Sequence, residues 1–193
     1  MIRSFTEKEP LRVIAIDAGV ANIGVAIMRA YIISPIISDP PRWDIMDLLL
    51  LQTEADPRKH RIRAADSDIE RVKEAMRQLD GLIEQYEIRR MAVELPVAGG
   101  QSAAALKYMA LASAIPAHCE VRFNMMTEWY SPGECKKAVA GRWTSSKDAV
   151  AKVLEAKYPI VLEMFPTWEK REHVVDALAC FETALRVGNV CRP

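Results

Sequence analysis

The hydrophobic and polar pattern opens with two apolar, β-branched runs that a turn of small residues joins. Residues 11–17 and 23–28 have the composition of buried strands, and Gly19 and Gly24 mark a hairpin between them. Asp17 therefore stands at the end of a core strand. Because an unpaired carboxylate is costly to bury, this position favours a cation or a metal as its partner, although a solvated turn aspartate also fits the hairpin.

A strand, a helix and a further strand are predicted next. Residues 45–52 are apolar enough for a third strand, and their leucines also suit a short helix. Over residues 68–86 apolar side chains recur every three or four positions, which predicts a helix with one face on a sheet. Residues 88–95 form a strand that ends near Glu94. This order favours parallel pairing of the first and fourth strands, which would set Asp17 and Glu94 side by side.

The remainder of the chain is predicted to be mainly helical. Residues 101–114 form an alanine-rich helix, which suits either a dimer contact or packing on the chain's own sheet. Residues 119–130 alternate enough for a strand. Capping signals then predict a helix after Ser131, a second helix over Lys147–Lys157, and a last helix over about residues 172–186.

Three segments are predicted to lie outside regular structure. Residues 1–10 are polar and form a flexible tail, and residues 31–41 contain three prolines and form a loop at the sheet edge. Residues 54–63 carry a basic run, which fits either a solvated loop or a phosphate contact.

Length and charge limit the class of protein. The 193 residues suit one domain over 1–193, and 26 basic against 26 acidic residues leave no overall positive field, so any DNA contact must be a local patch. The apolar runs are shorter than the roughly 18 residues of a membrane span, which predicts a soluble protein. Four cysteines without a CxxC pair predict the reduced thiols of a cytoplasmic protein.

With these elements in place, the chain resembles the RuvC family of Holliday junction resolvases, nucleases with an RNase H-like fold. Four motifs carry the resemblance in the family's order: IAIDAG at 14–19, VE at 93–94, SPGECKKAVAG at 131–141 with SKDAV at 146–150, and HVVDALA at 173–179. The resemblance covers most of the chain except the tail and residues 31–67. It implies an α/β protein with a five-stranded mixed sheet flanked by helices.

The resemblance also implies an activity and its residues. A structure-selective endonuclease would cleave four-way DNA junctions as a homodimer, with two Mg²⁺ or Mn²⁺ ions in each active site. The chain departs from the bacterial resolvases in two places: residues 95–100 lack an aromatic wedge, and residues 106–115 lack an arginine. The implied catalytic and metal-binding residues are Asp17, Glu94, His173 and Asp176, and the implied DNA-binding residues are Lys136, Lys137 and Lys147.

The chemistry of these side chains fits that activity. Two divalent ions about 3.5 to 4 Å apart stabilise both the attacking and the leaving oxygen of a phosphodiester, and carboxylates favour Mg²⁺ or Mn²⁺ over zinc. Asp17 would bridge the two ions, while Glu94 and Asp176 would each complete one. His173 lies three residues before Asp176 and would bind an ion or hold the water, unless it is a capping or core histidine. Lys136, Lys137 and Lys147 would bind phosphates; the alternative is that lysines on such short helices face solvent.

Two other classes of function are compatible with parts of the pattern. A strand aspartate followed by a small-residue turn also opens the phosphate hairpin of actin-like ATPases, but those proteins need a second such domain. A catalytically silent, RNase H-like DNA-binding protein is the other alternative. Retention of the acidic set argues against it, because carboxylates at apolar strand ends cost stability when they serve no partner.

Overall fold

The computed structural model describes residues 10–31, 42–54, 64–95 and 102–192, which form five strands and six helices. In chain order these are β1 (Leu11–Asp17), β2 (Asn22–Tyr31), β3 (Arg42–Gln52), α1 (Ala64–Gln85), β4 (Arg90–Glu94), α2 (Ala103–Phe123), β5 (Met126–Tyr130), α3 (Pro132–Ala140), α4 (Lys147–Lys157), α5 (Ile160–Met164) and α6 (Trp168–Val187).

The five strands form one mixed sheet in the order β3-β2-β1-β4-β5. The pairs β1–β2 and β2–β3 are antiparallel, whereas β1–β4 and β4–β5 are parallel. The predicted five-stranded mixed sheet and the predicted parallel pairing of the first and fourth strands are both confirmed. Residues 45–52 belong to β3, so the strand interpretation of that segment is correct and the helix alternative is wrong.

Two apolar cores lie on opposite faces of this sheet, because successive side chains of a strand point to opposite faces. In β1, Val13 and Ala15 join the core under α6, while Ile14 and Ile16 join the core under α1 and α2. Phe181 of α6 is fully buried in the first core, where its ring meets that of Trp43 edge-on at 5.2 Å between centroids. Helix α6 therefore packs across β1 and β2.

The predicted strand over residues 119–130 is wrong in its first half. Helix α2 continues to Phe123, and only Met126–Tyr130 is a strand. The inward face of α2 has the helical spacing, with buried residues at positions 112, 115, 116 and 119, whereas Val121 is 84% exposed. Burial of this face offsets the cost of about 3 kcal/mol that an interior proline carries in a helix.

The alanine-rich part of α2 was predicted to pack either on the chain's own sheet or against a second chain. Ala112 is fully buried in the chain's own core, which excludes it from any dimer contact. The first two turns are different, because Leu106 and Tyr108 are 54% and 47% exposed. The C-terminal part of the helix therefore packs on its own sheet, whereas its first turns are accessible, and the dimer contact stays a prediction.

Several predictions lie outside the described residues. They are the tail except Pro10, most of the loop over 31–41, the basic run except Glu54, and the turn after Leu95. In the described part of the chain, no helix combines the length and the apolarity that crossing a membrane requires. The four cysteines are buried and unbridged.

One close approach fixes α6 on the sheet. A Cβ at Gly24 of β2 would lie 1.8 Å from the backbone oxygen of His173 and 2.8 Å from the nitrogen of Val174. Only a residue without a side chain lets the two backbones come so near. Gly24 therefore sets the height of α6 above the strands.

We expect Gly24→Ala to destabilise the fold by at least about 1–3 kcal/mol, the usual cost of overpacking, because both partners are backbone atoms. Gly81→Ala is the matched control: a Cβ at Gly81 in α1 meets nothing within 4 Å, so this change should stabilise the helix by about 0.5–1 kcal/mol. Urea unfolding measures both variants. Equal stabilities for the two would contradict the close packing of α6 on β2.

Candidate active site

The site begins with two carboxylates at the same edge of the sheet. Asp17 is the last residue of β1 and Glu94 is the last residue of β4, and the two are partners in the parallel register. Each follows a run of fully buried apolar residues, so the strand positions are fixed by the core. Neighbouring strands lie about 4.8 Å apart, which makes the two side chains direct neighbours.

Helix α6 adds the third acidic residue and a histidine. His173 Nδ1 donates to Asp17 Oδ2 at 2.8 Å, across 156 residues of sequence. This hydrogen bond raises the pKa of His173, although partial burial of the ring acts in the opposite direction. Asp176 lies one helical turn further along the same face of α6.

Lys147 is a lysine of the cleft that contacts the carboxylates directly. Ser146 caps α4 with its hydroxyl, which places Lys147 at the first helical position. Its Nζ donates to Asp176 Oδ2 at 3.0 Å and lies 4.0 Å from Glu172 Oε1. Partial burial acts to lower the pKa of Lys147, but Asp176 and the other carboxylates outweigh it and raise this pKa.

The acidic side chains repel one another in a poorly solvated place. Burial, followed by the charges of Cys135, Asp176 and Asp17, raises the pKa of Glu94 well above its ordinary value. Burial and the charge of Asp17 also raise the pKa of Asp176, against the opposing effect of Lys147. A site with this electrostatics favours the arrival of a cation.

All four predicted catalytic residues line one cleft of about 470 Å³. Of the three predicted DNA-binding lysines, Lys136 and Lys147 line this cleft and Lys137 does not. Lys137 lies instead with its Nζ 5.5 Å from the centre of the Trp143 ring. The structure thus brings six of the seven predicted residues together, and turns the seventh to an adjacent surface.

The donor set suits a hard divalent cation, since it offers three carboxylates and one imidazole. Within the described ranges, no group of three or more His, Cys, Asp or Glu side chains stands in an arrangement that holds a metal ion. Asp17 Oδ2 accepts from His173 and Asp176 Oδ2 accepts from Lys147, so one oxygen of each carboxylate is engaged in a hydrogen bond.

Two residues of the cleft with a hydroxyl or a thiol, Tyr108 and Cys135, were not predicted from the sequence. The Tyr108 hydroxyl accepts the backbone N–H of Val20 at 3.3 Å, which ties the first turns of α2 to the turn after Asp17. Cys135 lies beneath the carboxylates, and a hydrogen bond with Cys180 lowers the pKa of its thiol. No motif in the alanine-rich segment marks Tyr108 as a site residue. Cys135 lies next to Lys136 in the motif at 131–141, and this position could have indicated that it lies at the cleft.

This sheet order, with acidic residues at the ends of β1 and β4 and on the last helix, defines an α/β protein of the RNase H-like class. Within that class the chain has the fold of the RuvC-like Holliday junction resolvases. No protein-family model matches the chain, and no curated protein matches it.

Three solved structures document this likeness. Thermus thermophilus RuvC in complex with a Holliday junction substrate has a TM-score of 0.62 at 18% identity, covering 90% of this chain and 92% of that one. The yeast mitochondrial Holliday junction resolvase Ydc2 has a TM-score of 0.58 at 14% identity, covering 93% and 82%. The Fowlpox virus resolvase bound to Holliday junction DNA has a TM-score of 0.51 at 11% identity, covering 91% and 99%. At these identities the likeness establishes the fold.

The raised pKa of Glu94 has a consequence for stability. The folded chain holds this proton more tightly than the unfolded chain, so the stability contribution is present at low pH and is lost as pH rises. Glu94→Gln removes the titration. We expect the variant to melt above the wild type without divalent ions, by a margin that grows from about pH 5 to about pH 8.

Glu128→Gln in β5 is the matched control. Burial opposes the effect, but hydrogen bonds from Tyr130 and from the Asn189 and Val190 amides lower the pKa of Glu128, so its charge stabilises the fold. This variant should melt below the wild type at both pH values. A Glu94→Gln margin that shrinks as pH rises would contradict the electrostatics described for the cleft.

Proposed function

We propose that the protein is a divalent-metal-dependent endonuclease that cleaves four-way DNA junctions. One observation carries the proposal: Asp17 and Glu94 are register partners at one sheet edge, and α6 adds His173 and Asp176 in the same cleft. This acidic cleft stands in a fold that the chain shares with solved Holliday junction resolvases. Basic residues at the cleft supply positive charge that would bind the phosphates of DNA.

Asp17, Glu94 and Asp176 would hold two Mg²⁺ or Mn²⁺ ions. When bound, such ions stabilise charge on the attacking and leaving oxygens of the phosphodiester. His173 joins the set as a further ligand or as the group that holds the attacking water. With Nδ1 engaged by Asp17, its Nε2 is the ring nitrogen left to accept a proton from that water.

The two cleft lysines have separate tasks in this proposal. Lys136 lines the cleft from α3 and would bind a phosphate of the cleaved strand. Lys147 offsets the charge of Asp176 through its 3.0 Å contact, and would move to a substrate phosphate when Asp176 takes a metal. Lys137 contributes from the neighbouring surface.

Asp17→Asn should abolish cleavage while junction binding stays close to the wild-type level, because affinity comes from the basic residues. The measurement is incision of a labelled four-way junction in Mg²⁺, beside a binding titration in EDTA. Asp44→Asn on strand β3, which removes a carboxylate paired with Arg42 outside the cleft, is the control and should cleave normally. Full cleavage by the Asp17 variant would refute the proposed metal site.

Lys136→Ala should weaken binding to branched DNA and flatten the dependence of log affinity on log salt by about one unit, since one phosphate contact is lost. Lys152→Ala is the matched control, because Lys152 is exposed on α4 and lies outside the cleft. Its slope should equal that of the wild type. Equal slopes for both variants would place the DNA elsewhere on the protein.

We further propose a homodimer, because paired incision of a four-way junction requires two active sites related by two-fold symmetry. The accessible first turns of α2, with Leu106 and Tyr108 exposed, are the proposed contact surface. Analytical ultracentrifugation should give twice the chain mass, and a supercoiled cruciform plasmid should be linearised without accumulating nicked circles. A monomeric mass together with nicked circles would instead describe a nickase.

A further inference from the structure

An exposed aromatic ring lies against α3, a helix that also lines the proposed active site. Trp143 belongs to the segment between α3 and α4, and 52% of its surface is accessible. Its ring packs directly over Gly133 of α3, where a Cβ would meet Cε3 at 2.4 Å and Cζ3 at 2.8 Å. The glycine therefore allows the indole to lie close against the helix backbone.

Lys137 fixes the same ring from the next turn of α3. Its Nζ lies 5.5 Å from the ring centre, within the range of a cation–π contact. Gly133 and Lys137 are four residues apart and so share one face of α3, against which the indole rests. We call Gly133, Lys137 and Trp143 the Trp143 platform. It presents a large aromatic surface to solvent without the freedom of an unsupported side chain.

The charge around the platform favours an anionic partner. Lys136, Lys137 and Arg142 adjoin it in sequence. The acidic residue nearest in α3, Glu134, is engaged at the helix start, where its Oε2 accepts from the backbone N–H and the hydroxyl of Ser131 at 2.7 Å. These hydrogen bonds lower the pKa of Glu134 and turn its carboxylate toward the helix N-terminus.

The platform also adjoins the cleft at two points. Pro132 lines the cleft and is followed directly by Gly133, while Lys136 lines the cleft and is followed directly by Lys137. Lys147, four residues after Trp143, contacts Asp176 inside the cleft. A strand bound across the cleft at Lys136 would therefore pass the exposed ring.

We propose that Trp143 stacks on a nucleobase of the bound DNA close to the cleaved phosphate, with Lys136 and Lys137 binding the flanking phosphates. This inference rests on the proposed function, because it takes DNA as the substrate. Stacking on an aromatic ring accepts any base, and a neighbouring cation holds the backbone beside it. In this way the Trp143 platform holds the DNA strand beside the active site.

A double-mutant cycle between protein and DNA tests the assignment. The probe is a set of four-way junctions, each with one abasic site near the cleaved phosphate, titrated in EDTA so that no cleavage occurs. Trp143→Ala should weaken binding of the intact junction about tenfold, with the salt slope unchanged, because stacking is not ionic. Trp143→Phe should restore most of the affinity. One abasic position should weaken the wild type equally and add nothing to Trp143→Ala.

Trp168→Ala is the matched control, since Trp168 also carries a cation over its ring, Arg171 at 5.5 Å, and lies outside the cleft. It should bind every junction as the wild type does, with melting temperatures confirming that both variants fold. Wild-type affinity of Trp143→Ala would overturn the assignment, as would additive losses at every abasic position. A loss of affinity that follows a change in sedimentation mass would also overturn it, in favour of a protein contact.

The proposed function fails separately. If the wild type neither binds nor cleaves a four-way junction, the nuclease proposal and the stacking assignment are both refuted. If the wild type cleaves and Trp143→Ala binds normally, only the stacking assignment is refuted.

Discussion

The mutual repulsion of Asp17, Glu94 and Asp176 is the constraint on which the site depends. Burial and like charge raise the pKa of Glu94 and of Asp176, so the folded chain holds negative charge that it solvates poorly. His173 and Lys147 each offset part of that charge through one hydrogen bond. The site is thus arranged for cations, and His173 and Lys147 supply part of the compensating charge.

The fold maintains this arrangement through two rigid placements. The parallel register of β1 and β4 keeps Asp17 beside Glu94, because apolar residues buried on both faces of the sheet fix the strands. The absent side chain at Gly24 lets α6 approach close enough for His173 to reach Asp17. A methyl group at Gly24 would push α6 away from the sheet. His173 and Asp176 would then move away from Asp17 and Glu94.

Much of this was predictable from the sequence, for reasons that are local. Continuous apolar, β-branched runs predict the first strands, and a strand, helix and strand predict the pairing of Asp17 with Glu94. The predictions that failed concern features that tertiary packing decides. Alternation at Cys119 imitates a strand, while packing of α2 on the sheet decides for a helix. Sequence spacing also gave no sign that Lys147 meets Asp176, or that Lys137 lies beside the ring of Trp143 and not in the cleft.

The central claim is that this cleft hydrolyses branched DNA with the help of divalent ions. The most direct measurement compares an immobile, end-labelled four-way junction with a linear duplex of the same sequence, each incubated with the wild-type chain in Mg²⁺ and in EDTA. We expect paired incisions near the crossover of the junction in Mg²⁺, no products in EDTA, and an intact duplex in both. Equal cleavage of junction and duplex, or cleavage that persists in EDTA, would contradict it.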